Sequence, residues 1–197
     1  MKRLLNGGSW SHAVTVLRVG GVAVIPTDTL YGVIASAQNK KAVARLYRLR
    51  RRTKGKPFII LISSVSELAD FGVTLSAFEK EVLKEVWPGK ISVVFPCPHR
   101  KFSYLHLGTQ SLAFRFPRTP KLIALLKKTG PLLAPSANPE GKPPATTLAE
   151  AKSYFGSAVD FYVNAGKKKA GKPSTLISFQ NGQVQILREG AVIVKEE

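Results

Sequence analysis

Short, uninterrupted apolar runs recur along this chain and alternate with segments of helical period. Val22-Ala23-Val24-Ile25 is stopped by Pro26, Leu132-Leu133-Ala134 is stopped by Pro135, and residues 58–62 form a third run. Runs this short with no polar alternation read as strands buried on both faces of a sheet, and proline ends the first two because it cannot donate to a ladder. Ser9 can cap a helix over 10–19, with Ala13, Val16 and Leu17 on one face and Gly20-Gly21 ending it. Residues 39–51 read as a helix with Val43, Leu46, Tyr47 and Leu49 apolar. Further helices are predicted over 65–70, 76–86, 121–128 and 148–155. Further strands are predicted over 91–95, 111–116, 158–163, 175–179 and 184–187, the last two joined through the hairpin signal Gln180-Asn181-Gly182. This interleaving predicts an α/β fold: one domain over 1–197 with a twisted, mostly mixed or antiparallel sheet flanked by helices. No internal repeat and no Ser/Gly linker divides it.

The bulk composition narrows the class. A chain of 197 residues with 44% apolar content can bury a core of its own. No apolar run approaches the roughly 18 residues of a membrane span. The basic start lacks the apolar stretch of a secretory signal. Cys97 is the single cysteine, which excludes an internal disulfide and a cysteine-based zinc site. A cytoplasmic setting is expected.

The charge points to a partner. Thirty Lys and Arg stand against 12 Asp and Glu, a net charge of +18. No carboxylate lies between Asp28 and Glu67, where nine Lys and Arg do, and none lies between Glu85 and Glu140, where there are eight more. Such a balance favours polyanions: RNA, nucleotides or phosphates.

Three polar loops beside apolar runs hold the candidate chemistry. In the basic run, Arg50, Arg52, Lys54 and Lys56 sit two apart. An extended stretch would aim all four to one side, where guanidinium groups grip phosphate through paired hydrogen bonds; a solvated basic face is the alternative. Ser136 and Asn138, also two apart, offer neutral donors for phosphate oxygens or a nucleotide, or else serve a cap or turn. Arg115 lies inside Leu112-Ala113-Phe114-Arg115-Phe116 and must find an anion, either a substrate carboxylate or an internal salt bridge. Asp28 either orients a hydroxyl or caps a turn. The loop over 166–173, with four lysines among its residues, is expected to be mobile, and either closes over an anionic ligand or stays solvated. There is no glycine-rich phosphate loop, no histidine spacing suited to a transition metal, and nothing beside Cys97 to make it a nucleophile.

Seven segments, in order, carry a family resemblance over about 9–190. They are Pro26-Thr27-Asp28-Thr29-Leu30-Tyr31-Gly32; Arg50-x-Arg52 with Lys56-Pro57; Trp87-Pro88-Gly89; Ser111-Leu112-Ala113-Phe114-Arg115; Ser136-Ala137-Asn138 with Gly141; Pro173-Ser174-Thr175; and Leu187-Arg188-Glu189-Gly190. The chain resembles the YrdC-type L-threonylcarbamoyladenylate synthases. The resemblance implies a single α/β domain with a large positively charged cavity. It implies formation of threonylcarbamoyl-AMP and pyrophosphate from L-threonine, bicarbonate and ATP, with Mg2+ neutralising the phosphates. A partner transferase complex then moves the threonylcarbamoyl group to a transfer RNA adenosine. Thr29, Arg115 and Ser174 would lie near threonine. Arg52, Lys56, Ser111, Ser136, Asn138 and Arg188 would lie near ATP, with Arg50, Arg52, Ser136 and Asn138 as the catalytic set and no protein metal ligand. The family's usual Lys-x-Arg is here Arg50-Arg51-Arg52, which keeps the charge in a planar, less easily deprotonated group. Ending at Glu197, the chain looks like the short form, without the second domain of longer relatives. A non-catalytic RNA-binding protein acting in RNA maturation, and a carbamoyl-adenylating module for another amine, are the competing expectations.

Overall fold

The computed structural model describes residues 9–53, 55–168 and 171–194. Lys54, the basic start and the ends of the expected single domain lie outside the described residues, as do two residues of the 166–173 loop. The strands are β1 (Val22–Pro26), β2 (Tyr31–Ser36), β3 (Ile60–Leu61), β4 (Ile91–Pro96), β5 (Ser111–Arg115), β6 (Leu132–Leu133), β7 (Phe161–Tyr162), β8 (Thr175–Gln180) and β9 (Gln183–Arg188). The helices are α1 (Trp10–Arg18), α2 (Lys40–Arg50), α3 (Ala77–Val86), α4 (Ser103–His106), α5 (Pro120–Thr129) and α6 (Leu148–Phe155).

One sheet runs through the described chain in the order β7-β1-β2-β6-β3-β5-β4-β8-β9. Five of its pairings are antiparallel and three parallel, so the sheet is mixed as the interleaving predicts. Both faces are covered because successive strand residues point to opposite sides. On β1, Val22 and Val24 join the larger core with α2 and α3, through Val43, Leu46 and Leu83. Ala23 and Ile25 join the opposite core, closed by Ala13 and Leu17 of α1 and Leu122, Leu125 and Leu126 of α5. Four of the six helices, α1, α2, α3 and α6, start where the sequence supplies a side-chain acceptor, Thr147 taking the Glu150 N–H for α6. Ser9 Oγ takes the Ser11 N–H, Asn39 takes the Ala42 N–H, and Ser76 with Glu79 forms a reciprocal capping box.

Several elements differ from the sequence-based expectation. The run over 58–62 is extended, but its ladder is limited to Ile60 and Leu61. Single bonds from Ala134 N to Ile59 O (3.3 Å) and from Ile62 N to Arg115 O (3.0 Å) prolong the pairing at each side. Residues 158–163 likewise shrink to Phe161–Tyr162, after a single 3-10 turn at Gly156–Ala158. Val65–Phe71 is 3-10 rather than α-helix. β2 and α4 were not foreseen: the β1–β2 hairpin pairs Pro26 with Tyr31, so only four residues, 27–30, form its loop. Among the described residues, no helix is long and apolar enough to cross a membrane.

Candidate active site

A cavity of about 230 Å³ opens where the β1–β2 loop, the end of α2, the segment after β6, the approach to β8 and the last residue of β9 meet. The hairpin loop is rigid by its own chemistry. Thr27 Oγ1 donates to Leu30 O at 2.6 Å and accepts the N–H groups of Leu30 and Thr29 at 3.2 and 3.3 Å. This local network closes the turn and leaves Thr29 lining the cavity.

The cations reach the cavity from the helix end that the sequence predicts, through a reversal that it does not. Arg50 is the last residue of α2, and Arg51 caps the helix in the left-handed conformation with φ 49° and ψ 39°. That reversal, rather than an extended strand, brings Arg50 and Arg52 to one cavity while Arg51 lines a neighbouring groove. Arg50 is only 5% exposed, and its Nη1 donates to Asn138 O. Burial, then the charge of Arg52, lowers its pKa to about 10, with Glu140 opposing the shift. Arg188 also lines the cavity, and its pKa is lowered by burial and then by Arg52. Among the described residues, the lining contains three guanidinium groups and no carboxylate, so its wall is net positive toward an entering anion, with Arg52 paired behind the wall to Glu140.

The hydroxyl side is set by backbone contacts. Ser136 bridges to Gly32 of β2, with Val33 N donating to Pro135 O at 3.0 Å and Ala137 N to Tyr31 O at 2.8 Å. Ser174 is buried, its Oγ lies 2.8 Å from Ser92 Oγ, and Arg188 Nη2 donates to its carbonyl at 2.8 Å. The chain after β9 folds tightly over this segment: a Cβ at Gly190 would stand 2.4 Å from Pro173 O, so no other residue fits there without displacement.

The remaining predicted residues stand outside the lining. Asn138 is 5% exposed and spends its Nδ2 on Pro139 O (3.0 Å) and Lys142 O (2.6 Å), which folds the loop that presents Ser136. Ser111 begins β5 opposite Pro96, with its Oγ 3.5 Å from Thr109 Oγ1, and Ala113 is the residue of that strand at the cavity. Lys56 is largely exposed and lies 3.5 Å from Glu140. Arg115 takes Asp28 as its anion at 2.7 Å. Two contributors went unseen in the sequence. Glu140 joins Arg52, Thr53 and Lys56, and the only hint was a lone carboxylate after Ser136-Ala137-Asn138. Tyr31 lines the cavity and holds Ala165 and Gly166 through its hydroxyl, a contact no local pattern signals.

The chain is similar to known proteins over most of its length. The family model for Sua5, YciO and YrdC proteins, described as telomere recombination, matches residues 15–190. Threonylcarbamoyl-AMP synthase of Bacillus subtilis (strain 168) is 32% identical over 98% of this chain, which spans 56% of the Bacillus protein. Threonylcarbamoyl-AMP synthase of Halorhodospira halophila is 34% identical over 77% of this chain and 80% of its own length. P. abyssi Sua5 complexed with L-threonine superposes with a TM-score of 0.84 at 27% identity, over 92% of this chain and 54% of that one. E. coli YciO superposes with a TM-score of 0.83 at 26% identity, over 94% of this chain and 91% of its own. The matched residues include every loop of the cavity, from Thr27 to Arg188, and the chain therefore belongs to the Sua5, YciO and YrdC family.

Proposed function

We propose that this chain is a threonylcarbamoyl-AMP synthase, a nucleotidyltransferase that joins L-threonine, bicarbonate and ATP. The observation that carries the reading is the cavity lining: Arg50, Arg52 and Arg188 with the hydroxyl-bearing Thr29, Ser136 and Ser174, and no carboxylate among the described residues. The threonine amine combines with bicarbonate to give a carbamate and water. A carbamate oxygen then attacks the α-phosphorus of ATP, and the bond to the β-phosphate oxygen breaks to release pyrophosphate. No step needs a covalent enzyme nucleophile. The protein must align the carbamate with phosphorus, exclude water and stabilise phosphate charge, and cations with neutral donors suit that work.

In this reading Arg52 and Arg188 bind phosphate oxygens, with Ser136 beside them on the nucleotide side and Lys56 and Ser111 at most at its outer edge. Arg50 and Asn138 hold the loop that presents Ser136, linked as they are through the Asn138 carbonyl. Thr29 and Ser174 contact threonine. Arg115, anchored through Asp28 to the loop that bears Thr29, meets its carboxylate. In this reading the metal arrives on ATP rather than being held by the protein. Mg2+ bound to the phosphates would neutralise charge on the leaving pyrophosphate. The product passes to a transferase complex that modifies a transfer RNA adenosine, and the basic surface outside the cavity meets the RNA.

The test is pyrophosphate release with ATP and bicarbonate, with and without L-threonine, and with serine and glycine compared. Release that requires threonine and is weak with the other two is expected. Absence of turnover, with salt-sensitive RNA binding intact, would move the chain to the non-catalytic RNA-binding class.

A further inference from the structure

One carboxylate gathers four donors from the loop that carries the cavity's cations. Glu140 Oε1 accepts from Arg52 Nη1 at 3.1 Å and lies 3.5 Å from Lys56 Nζ. Its Oε2 accepts the Thr53 N–H at 2.6 Å and the Thr53 hydroxyl at 2.7 Å. The Glu140 N–H donates to Arg50 O at 2.7 Å, so backbone and side chain together zip the loop after β6 to the loop after α2. Glu140 is not part of the cavity lining, but Arg52 is.

The consequence falls on Arg52. Its Nε donates to Lys56 O at 3.3 Å, its Nη1 is taken by Glu140, and its guanidinium packs 5.5 Å from the ring centroid of Phe58, itself in the lining. Two of three nitrogens are thus engaged before any ligand enters, and Nη2 makes no bond to a described residue. An exposed ion pair alone orders little. Here Arg52 and Glu140 are each only 24% exposed, and the carboxylate is fixed independently by Thr53. An arginine already held in one rotamer loses less freedom when it grips an anion.

We infer that Glu140 is a positioning residue for the nucleotide: it holds Arg52 at the cavity wall with its remaining N–H groups presented to phosphate. The inference rests on the synthase reading for the identity of the anion. A carboxylate at this spot could instead compete with phosphate for Arg52, and the two roles have opposite signs.

Calorimetric binding of ATP to the full chain, without threonine, separates them. Glu140→Gln keeps the shape and an oxygen for Thr53 but turns a donor toward Arg52. It should weaken ATP by about fivefold, as expected for loss of a charge-assisted bond, leave the KM for threonine unchanged and lower the unfolding midpoint only modestly, with the chain still fully folded at the assay temperature. In an Arg52→Lys background, where the fork is already gone, Glu140→Gln should cost nothing further. An unchanged or tighter ATP affinity, or an equal loss in the Arg52→Lys background, overturns the inference. Loss of ATP binding through unfolding of Glu140→Gln would show as a midpoint that falls to the assay temperature; Glu140→Asp, which keeps the charge, must then restore ATP affinity, and its failure counts against the role. If the unsubstituted chain binds no ATP, the synthase reading fails first; threonine-dependent pyrophosphate release with Glu140 indifferent overturns this inference alone.

Discussion

Arg115 Nη1 donates to Asp28 Oδ1 at 2.7 Å, and the two side chains are 5% and 7% exposed. The pair joins the end of β5 to the hairpin loop between β1 and β2, so an arginine inside an apolar run finds its anion across the sheet. Asp28 Oδ2 and Arg115 Nε have no hydrogen-bond partner among the described residues, which leaves the pair open to a third, charged group. Removing one partner strands the other: Arg115→Ala should cost about 3–5 kcal/mol in denaturant unfolding. It should also raise the KM for threonine at least about tenfold, the loss of a charge-assisted bond, while ATP affinity changes little. The double variant Asp28→Asn, Arg115→Met should recover stability without recovering threonine use. Unchanged threonine affinity in Arg115→Ala would remove Arg115 from the substrate site.

Tyr31 is the second test. Its ring is fully buried, and its hydroxyl accepts the Ala165 N–H at 3.0 Å and donates to Gly166 O at 2.8 Å. Lys168 Nζ donates to Thr27 O, and its N–H to Thr146 O at 2.8 Å. The described part of the 166–173 loop, expected to be mobile, is therefore tied to the cavity's own turn. Tyr31→Phe should cost about 1 kcal/mol of stability and speed hydrogen exchange at Ala165 and Gly166. Exchange there that matches the unsubstituted protein would mean the tie carries no order.

Much of this was legible because strands buried on both faces have a composition signature and polar loops beside them stand out. Thr29, Arg50, Arg52, Ser136, Ser174 and Arg188 all line the cavity. What was not legible depends on partners distant in sequence. The length of β3 is decided by β5 and β6 on either side, not by residues 58–62. Arg50 and Arg52 share a wall because Arg51 adopts a left-handed cap, which Arg rarely does and no local pattern announces. Asn138 reads equally as a ligand or as a turn residue until its Nδ2 is seen on Pro139 O and Lys142 O. Glu140 gains meaning only when Arg52, 88 residues away, lies beside it.

Glu140 also sets a pH dependence of stability. The Thr53 N–H first, then the Thr53 hydroxyl, with Arg52 and Lys56 adding their charge, hold its pKa down from 4.5 to about 2. In this window the unfolded chain binds the proton that the native carboxylate refuses, so the contribution is whole above pH 4.5 and is lost as pH falls toward about 2. The difference in unfolding midpoint between the unsubstituted chain and Glu140→Gln should be flat from neutral pH to about 5 and shrink below it. A difference that already varies between pH 5 and 8 would assign the titration to another group.

The last prediction concerns the surface next to the cavity. Lys40, Arg48 and Arg51 lie along α2 and its cap, line one groove with Tyr47 and Tyr104, and share that groove with Arg52 of the cavity. Lys40 Nζ stands 5.3 Å from the Tyr104 ring centroid, and no carboxylate occurs between Asp28 and Glu67 to neutralise the stripe. If this surface meets the phosphates of transfer RNA, affinity must fall with salt through counterion release, at about one unit of log–log slope per contact. Arg48→Ala with Arg51→Ala should lower that slope by about 2 and weaken unrelated RNAs alike. Both side chains are exposed and lie outside the cavity lining, so threonine-dependent pyrophosphate release should survive. An unchanged slope would place the RNA on another face, and a parallel loss of pyrophosphate release would mean that the groove and the cavity act as one site.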